Sequence, residues 1–112
     1  MAGKMMPKAG DVVIVDFVGA TATKRRPAVV LSSDQYHAER PDLILGVLTS
    51  NIAVANTSFD YHLLDWSAAG LRVPSAFRAY FGMALPSATR VIGKLSARDW
   101  QPVRQRALSA MS

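Results

Sequence analysis

The chain has 112 residues, enough for one compact domain and too few for two. Half of them are hydrophobic, so a packed core is available, and 13 Lys and Arg against 8 Asp and Glu leave a net charge of +5. That excess points to an anionic partner, and the lack of cysteine excludes disulfides, thiolate zinc sites and cysteine nucleophiles.

Met1 to Lys8 carry two lysines and no apolar stretch long enough for a signal peptide, and residues 1–8 read as a flexible lead to a single domain. No apolar run approaches the roughly 20 residues of a membrane span, so the expected setting is the cytoplasm, with no membrane partner. Residues 10–17 open with a turn pair and then run β-branched, which predicts a buried strand. From Val18 to Arg26 the composition predicts an exposed, mobile loop ending in Lys24, Arg25 and Arg26. Pro27 pushes Arg26 into an extended conformation, and residues 28–33 form the second predicted strand. Residues 34–42 are a polar connection, 43–50 a third strand and 51–59 another loop. Shorter strands follow at 61–64 and 75–81, flanking a turn-rich stretch with Gly70 and Pro74, and the last strand is 91–95.

The period then changes. Ser96 is placed as an N-cap, with Asp99 favouring the helix N-terminus. Trp100, Val103, Ala107, Leu108 and Met111 recur at helical spacing and make one apolar face. Short strands closed by one helix predict a small, strongly bent sheet or barrel.

Familiar enzyme motifs are missing. His37 sits in a polar loop and is expected to be solvated, and His62 to face water from its strand. Asp11 and Asp16 bracket a strand and read as turn and strand-end residues; no carboxylate spacing calls for a metal, and none is expected. The cations carry more information. Lys24, Arg25 and Arg26 precede a strand, where a cluster can grip phosphate, although a solvated charged loop has the same composition. Arg78 lies inside an apolar run, and alternation puts it beside Tyr80 on one side, with Phe77 and Ala79 on the other. One guanidinium and one phenol on a common face suit phosphate and base, and the alternative is an arginine laid over a hydrophobic edge.

In order, these pieces resemble the MazF/PemK toxin family. Residues 10–17 resemble its first strand, Arg26-Pro27-Ala28-Val29-Val30-Leu31-Ser32 its second, and Leu45-Gly46-Val47-Leu48-Thr49-Ser50 its third. Val73-Pro74-Ser75, Arg78 and Ile92-Gly93-Lys94-Leu95-Ser96 are similar to its later strands and closing helix, so the likeness spans residues 8–110. Two departures stand out. Residues 19–23 replace a Gly-Ser-Glu-Gln stretch, and Tyr80 stands where the plasmid-borne branch has an aspartate.

The resemblance implies a mainly β fold, a small SH3-like curved β-barrel of five to seven strands with a C-terminal α-helix, as a homodimer. It implies a toxin that cleaves single-stranded RNA with no cofactor and is neutralised by a cognate antitoxin. Arg26, Thr49 and Arg78 match the catalytic positions, and Lys24, Arg25, Ser50 and Tyr80 are expected to bind substrate. RNA supplies its own nucleophile, the ribose 2′-hydroxyl, so fixed cations suffice to stabilise the developing charge. The rival readings are a non-enzymatic barrel that binds single strands and a protein-interaction module docking through residues 81–86.

Overall fold

A computed structural model describes residues 6–18 and 23–112. Six strands form one antiparallel sheet: β1 (Asp11–Val18), β2 (Thr23–Val30), β3 (Leu43–Thr49), β4 (Tyr61–His62), β5 (Ala76–Ala84) and β6 (Thr89–Lys94). Their spatial order is β4-β5-β3-β2-β1-β6. Helix α1 (Asp34–His37) is a single turn, and α2 (Ala97–Met111) closes the chain. The strand number and the helix agree with the expected architecture. The sheet is not closed, however: β4 and β6 are its two edges, so the term barrel holds only loosely.

The β-branched run of β1 explains its place near the centre of the packing. Val12 faces one core and Val13 and Val15 the other, and all three are buried. The first core joins Val12, Val29, Leu48, Leu63, Phe77 and Leu95 to Val103 and Ala107 of α2. The second lies on the opposite side, among Val13, Val15, Ala28, Val30, Leu43 and Leu45. A sheet that buries both faces reads as continuous apolar strands, as β1 and β3 do. Curvature comes from two register shifts, at Val12/Val13 against β6 and at Gly46/Val47 against β5. Gly46 is required there, because a Cβ would overlap the Phe77 ring.

The loop expected at 18–26 is shorter than composition suggests. Lys24, Arg25 and Arg26 belong to β2, opposite Phe17, Asp16 and Val15 of β1. Ladder hydrogen bonds and an Asp16–Arg25 ion pair at 3.1 Å convert the cationic run into strand. Residues 19–22 of the expected loop lie outside the described residues, as do 1–5 of the expected N-terminal lead.

At α2 the expected cap is present: Ser96 Oγ accepts from the Asp99 amide at 3.3 Å. Asp99 does more than favour the helix end. It is fully buried, accepting from the Tyr61 hydroxyl at 2.9 Å, the Leu64 amide at 3.0 Å and the Asp65 amide at 2.7 Å. Burial and that bond to Asp99 push the Tyr61 hydroxyl pKa up. Asp65 in turn accepts from Arg98 Nε at 2.7 Å and from Ser96 Oγ at 2.6 Å, which hold its carboxyl well below the usual range. Val103 and Ala107 are buried as expected, whereas Leu108 and Met111 remain exposed.

Candidate functional site

Arg26 and Thr49 come from neighbouring strands. Ala28 of β2 pairs with Val47 of β3. The ladder ends there, two residues short of Arg26 on β2 and of Thr49, the last residue of β3. Both line one cleft of about 510 Å³, together with Arg25 and Ser50. These four were expected at the site from sequence, and the cleft gathers them.

The cleft also contains arginines that sequence reasoning missed. Arg72 and Arg90 line it, which makes four arginines, and no carboxylate among the described residues lines it. Arg25 is partly neutralised by Asp16, through an exposed pair of modest strength. Arg26, Arg72 and Arg90 form no ion pair among the described residues. A concavity walled by one sign of charge concentrates counter-ions, here anions.

Long-range packing explains why Arg72 was not legible. Gly70 adopts φ +91°, and a Cβ on it would overlap the Ile92 carbonyl oxygen. A Cβ on Gly93 would overlap the Ala69 carbonyl oxygen. The two glycines let the loop before Arg72 lie directly on β6, so Leu71, Arg72 and Val73 wall the cleft. Arg90 has a simpler origin. Ile14 of β1 pairs with Pro27 on one side and Arg90 on the other, so the three form a row across β2, β1 and β6. That row follows from the strand order, which no local stretch of sequence reveals.

Thr49 is oriented by its own loop. Its Oγ1 accepts from the Asn51 amide at 3.1 Å, which leaves its proton free to be donated elsewhere. Thr49 is half-buried and Ser50 exposed, so the pair spans the wall from its base to its rim.

Arg78, Tyr80 and Lys24 do not line this cleft. Arg78 and Tyr80 share the exposed side of β5 as alternation predicted, with the guanidinium 5.6 Å from the ring centroid. Phe77 is buried on the other side. Between Arg78 and Phe81 the strand bulges, and the Ala79 amide donates to Asp60 Oδ1 at 2.8 Å. Burial pushes the Asp60 carboxyl up, but bonds from Ala79 and Thr57 and the nearby Arg78 charge outweigh it and hold its pKa below the ordinary value. Lys24 is exposed on β2.

The histidines lie elsewhere. His62 is exposed as expected, its Nε2 3.0 Å from the Ala55 carbonyl oxygen. His37 is not the solvated side chain its polar loop suggested: it is half-buried, and its Nε2 lies 2.6 Å from Ser32 Oγ. The α1 turn folds it back onto Ser32, which a polar composition does not reveal. Asp11 opens β1 and accepts from the Lys8 amide at 2.9 Å, as a turn residue should, whereas Asp16 lies within β1 rather than at its end and pairs with Arg25. Among the described residues no group of three or more His, Asp or Glu is placed to hold a metal ion. No helix among them is long and apolar enough to cross a membrane.

The fold has close counterparts in solved structures. MazE–MazF from Deinococcus radiodurans superposes with a TM-score of 0.73 at 21% identity, covering 97% of this chain and 98% of that one. A mycobacterial endoribonuclease in complex with its cognate antitoxin gives 0.76 at 11% identity, over 94% of both chains. The Mycobacterium tuberculosis toxin MazF-mt6 gives 0.71 at 16% identity, over 90% of this chain and 95% of that one. The fold is therefore that of the MazF-type toxins. No curated protein sequence matches the chain. The family of PemK-like, MazF-like toxins of type II toxin–antitoxin systems matches residues 8–111, and the chain belongs to that family.

Proposed function

We propose that this toxin is an endoribonuclease that cleaves single-stranded RNA in the Arg26–Thr49 cleft without a metal. The observation that carries the reading is that Arg26 of β2 and Thr49 of β3 line one cleft with three further arginines and, among the described residues, no carboxylate. A phosphodiester matches that chemistry: it is anionic, accepts from guanidinium in a fork and gains charge as it reacts.

The ribose 2′-hydroxyl loses its proton to solvent as its oxygen attacks the adjacent phosphorus, the P–O5′ bond breaks, and the leaving 5′-oxygen takes a proton from solvent. The products are a 2′,3′-cyclic phosphate and a free 5′-hydroxyl. Arg26 stabilises the extra charge on the non-bridging oxygens, and the Thr49 hydroxyl donates to one of them. Loss of one such preorganised donor costs about 2.7–4 kcal/mol in comparable sites. Arginine stays protonated at every ordinary pH, so it acts through charge rather than as the base. Arg25 and Ser50 hold the strand at the rim. Arg78 adds charge from β5, and Tyr80 and Lys24 contact the strand outside the cleft.

Incubation of the purified protein with mixed-sequence RNA in EDTA, followed by mapping of ends, tests the reading. Fragments with 2′,3′-cyclic phosphate termini are expected. RNA shifted on a gel but left intact supports a binding barrel instead, and cleavage abolished by EDTA rejects the metal-free mechanism.

A protein partner has separate support. Beyond Phe77, the edge of β5 opposite β3 has no paired strand, and Tyr80, Met83 and Leu85 are exposed there. Such an apolar edge suits a second copy in a homodimer, while the cationic cleft suits an acidic segment of the antitoxin.

A further inference from the structure

Asp60 is a buried carboxylate that does not line the cleft and forms no ion pair among the described residues. It stands immediately before β4. Its Oδ2 accepts from the Thr57 amide and the Thr57 hydroxyl, both at 2.9 Å, and its Oδ1 accepts from the Ala79 amide at 2.8 Å. These three neutral donors offset the desolvation of the charge, and hydrogen bonds to an ionised acceptor are the stronger kind. One side chain thus closes the 57–60 turn and ties it to β5.

The tie is made at the bulge. β3 pairs Val47 with Arg78 and Gly46 with Phe81, so Ala79 and Tyr80 have no partner on that strand. On the other edge, β4 supplies only two pairs, Tyr61 with Phe77 and His62 with Ala76. One further ladder step would set Asp60 opposite Arg78. Instead the Asp60 side chain reaches past it to the Ala79 amide. Arg78 is therefore held by β3 on one edge, while its neighbour in the chain is held by Asp60 on the other.

The bulge matters because of where it aims Arg78. Leu48 and Phe77 pair and are both buried in the first core, so Thr49 and Arg78 lie on the other side of the sheet. They are diagonal neighbours there, at a spacing of roughly 7–8 Å. The exposed Arg78 guanidinium packs 5.6 Å from the centroid of the Tyr80 ring, the second residue of the bulge.

We infer that Asp60 is a positioning residue for Arg78: its grip on the Ala79 amide fixes the bulge that aims the guanidinium at a phosphate beside Thr49. This rests on the RNA reading above. It adds a residue that touches no substrate and acts through the backbone of β5.

The test is single-turnover cleavage of RNA in EDTA by the wild-type protein, Asp60→Asn, Arg78→Gln and the double variant, each at a temperature where circular dichroism shows it folded. Asparagine puts a donor where one of the two carboxylate oxygens must accept, so Asp60→Asn cannot serve Thr57 and Ala79 together. Its rate should fall roughly tenfold. Arg78→Gln should be at least as slow, and the double variant no slower than Arg78→Gln alone, the non-additivity of a residue that acts through another. Thr57→Val loosens the same turn but leaves Ala79 its acceptor, so it should melt lower and cleave at the wild-type rate. Asp60→Asn or Arg78→Gln as fast as the wild type, losses that multiply in the double variant, or Thr57→Val as slow as Asp60→Asn overturn the positioning role while leaving the RNA reading standing. A wild-type protein that leaves the RNA intact overturns both.

Discussion

In the proposed mechanism Arg26 and Thr49 bring different things to a reacting phosphate. The guanidinium would supply charge at every ordinary pH, and the hydroxyl would supply direction, because the Asn51 amide occupies one of its lone pairs. Arg26→Ala should therefore lower the cleavage rate by roughly 10²–10³ with the fold retained, measured as single-turnover rate beside circular dichroism. Arg26→Lys should recover only part of that loss, since an ammonium lacks the planar fork. Thr49→Val keeps the volume and removes the donor, so its rate should fall by about tenfold. An unchanged rate in Thr49→Val would remove the hydroxyl from the reaction. Both residues were expected from the sequence, Arg26 from the cationic cluster before Pro27 and Thr49 from the family resemblance, and both line the cleft. Arg72 and Arg90 were not expected, because a lone arginine in a turn or on an edge strand carries no local signal of what faces it.

Among the elements, the strands were legible where β-branched residues run on and illegible where the ladder overrides composition. β5 extends to Ala84, past the predicted end at residue 81, because Leu43, Ile44 and Leu45 pair with it along that stretch. β2 starts at Thr23 although three cations follow, because β1 pairs with each of them. The cleft wall depends on contacts of the same long range. Gly93→Ala should destabilise the protein by about 1–3 kcal/mol and displace the Arg72 loop, read as a lower urea midpoint together with weaker RNA binding. Asp99→Ala leaves three part-buried donors without their acceptor and should cost about 2–3 kcal/mol in urea unfolding. Asp60 and Asp65 set the acid limit. Both carboxyls are depressed in the folded chain, so their stabilisation is complete above the unfolded value of about 3.9 and is lost as pH falls below it. The melting temperature should fall on acidification through that range, and less steeply in Asp60→Asn.

For the whole molecule, fold and partner class follow from the same pattern of charge and burial. A sheet with two buried faces leaves little surface for a deep pocket, so the site lies where β1, β2, β3 and β6 meet residues 70–73. The net charge of +5 gains its meaning there, because arginines distant in sequence converge on one cleft. RNA affinity should fall steeply with added salt, whereas a partner docked on the apolar edge of β5 should be held almost independently of salt. The central claim is that the substrate breaks itself inside the Arg26–Thr49 cleft. It is tested most directly by an RNA that the protein cuts at one position, resynthesised with a single 2′-deoxyribose at the nucleotide before the cut. This RNA should still bind and stay whole in EDTA, while the all-ribose strand ends in a 2′,3′-cyclic phosphate. Cleavage of the deoxy-substituted strand at the same bond would contradict that claim.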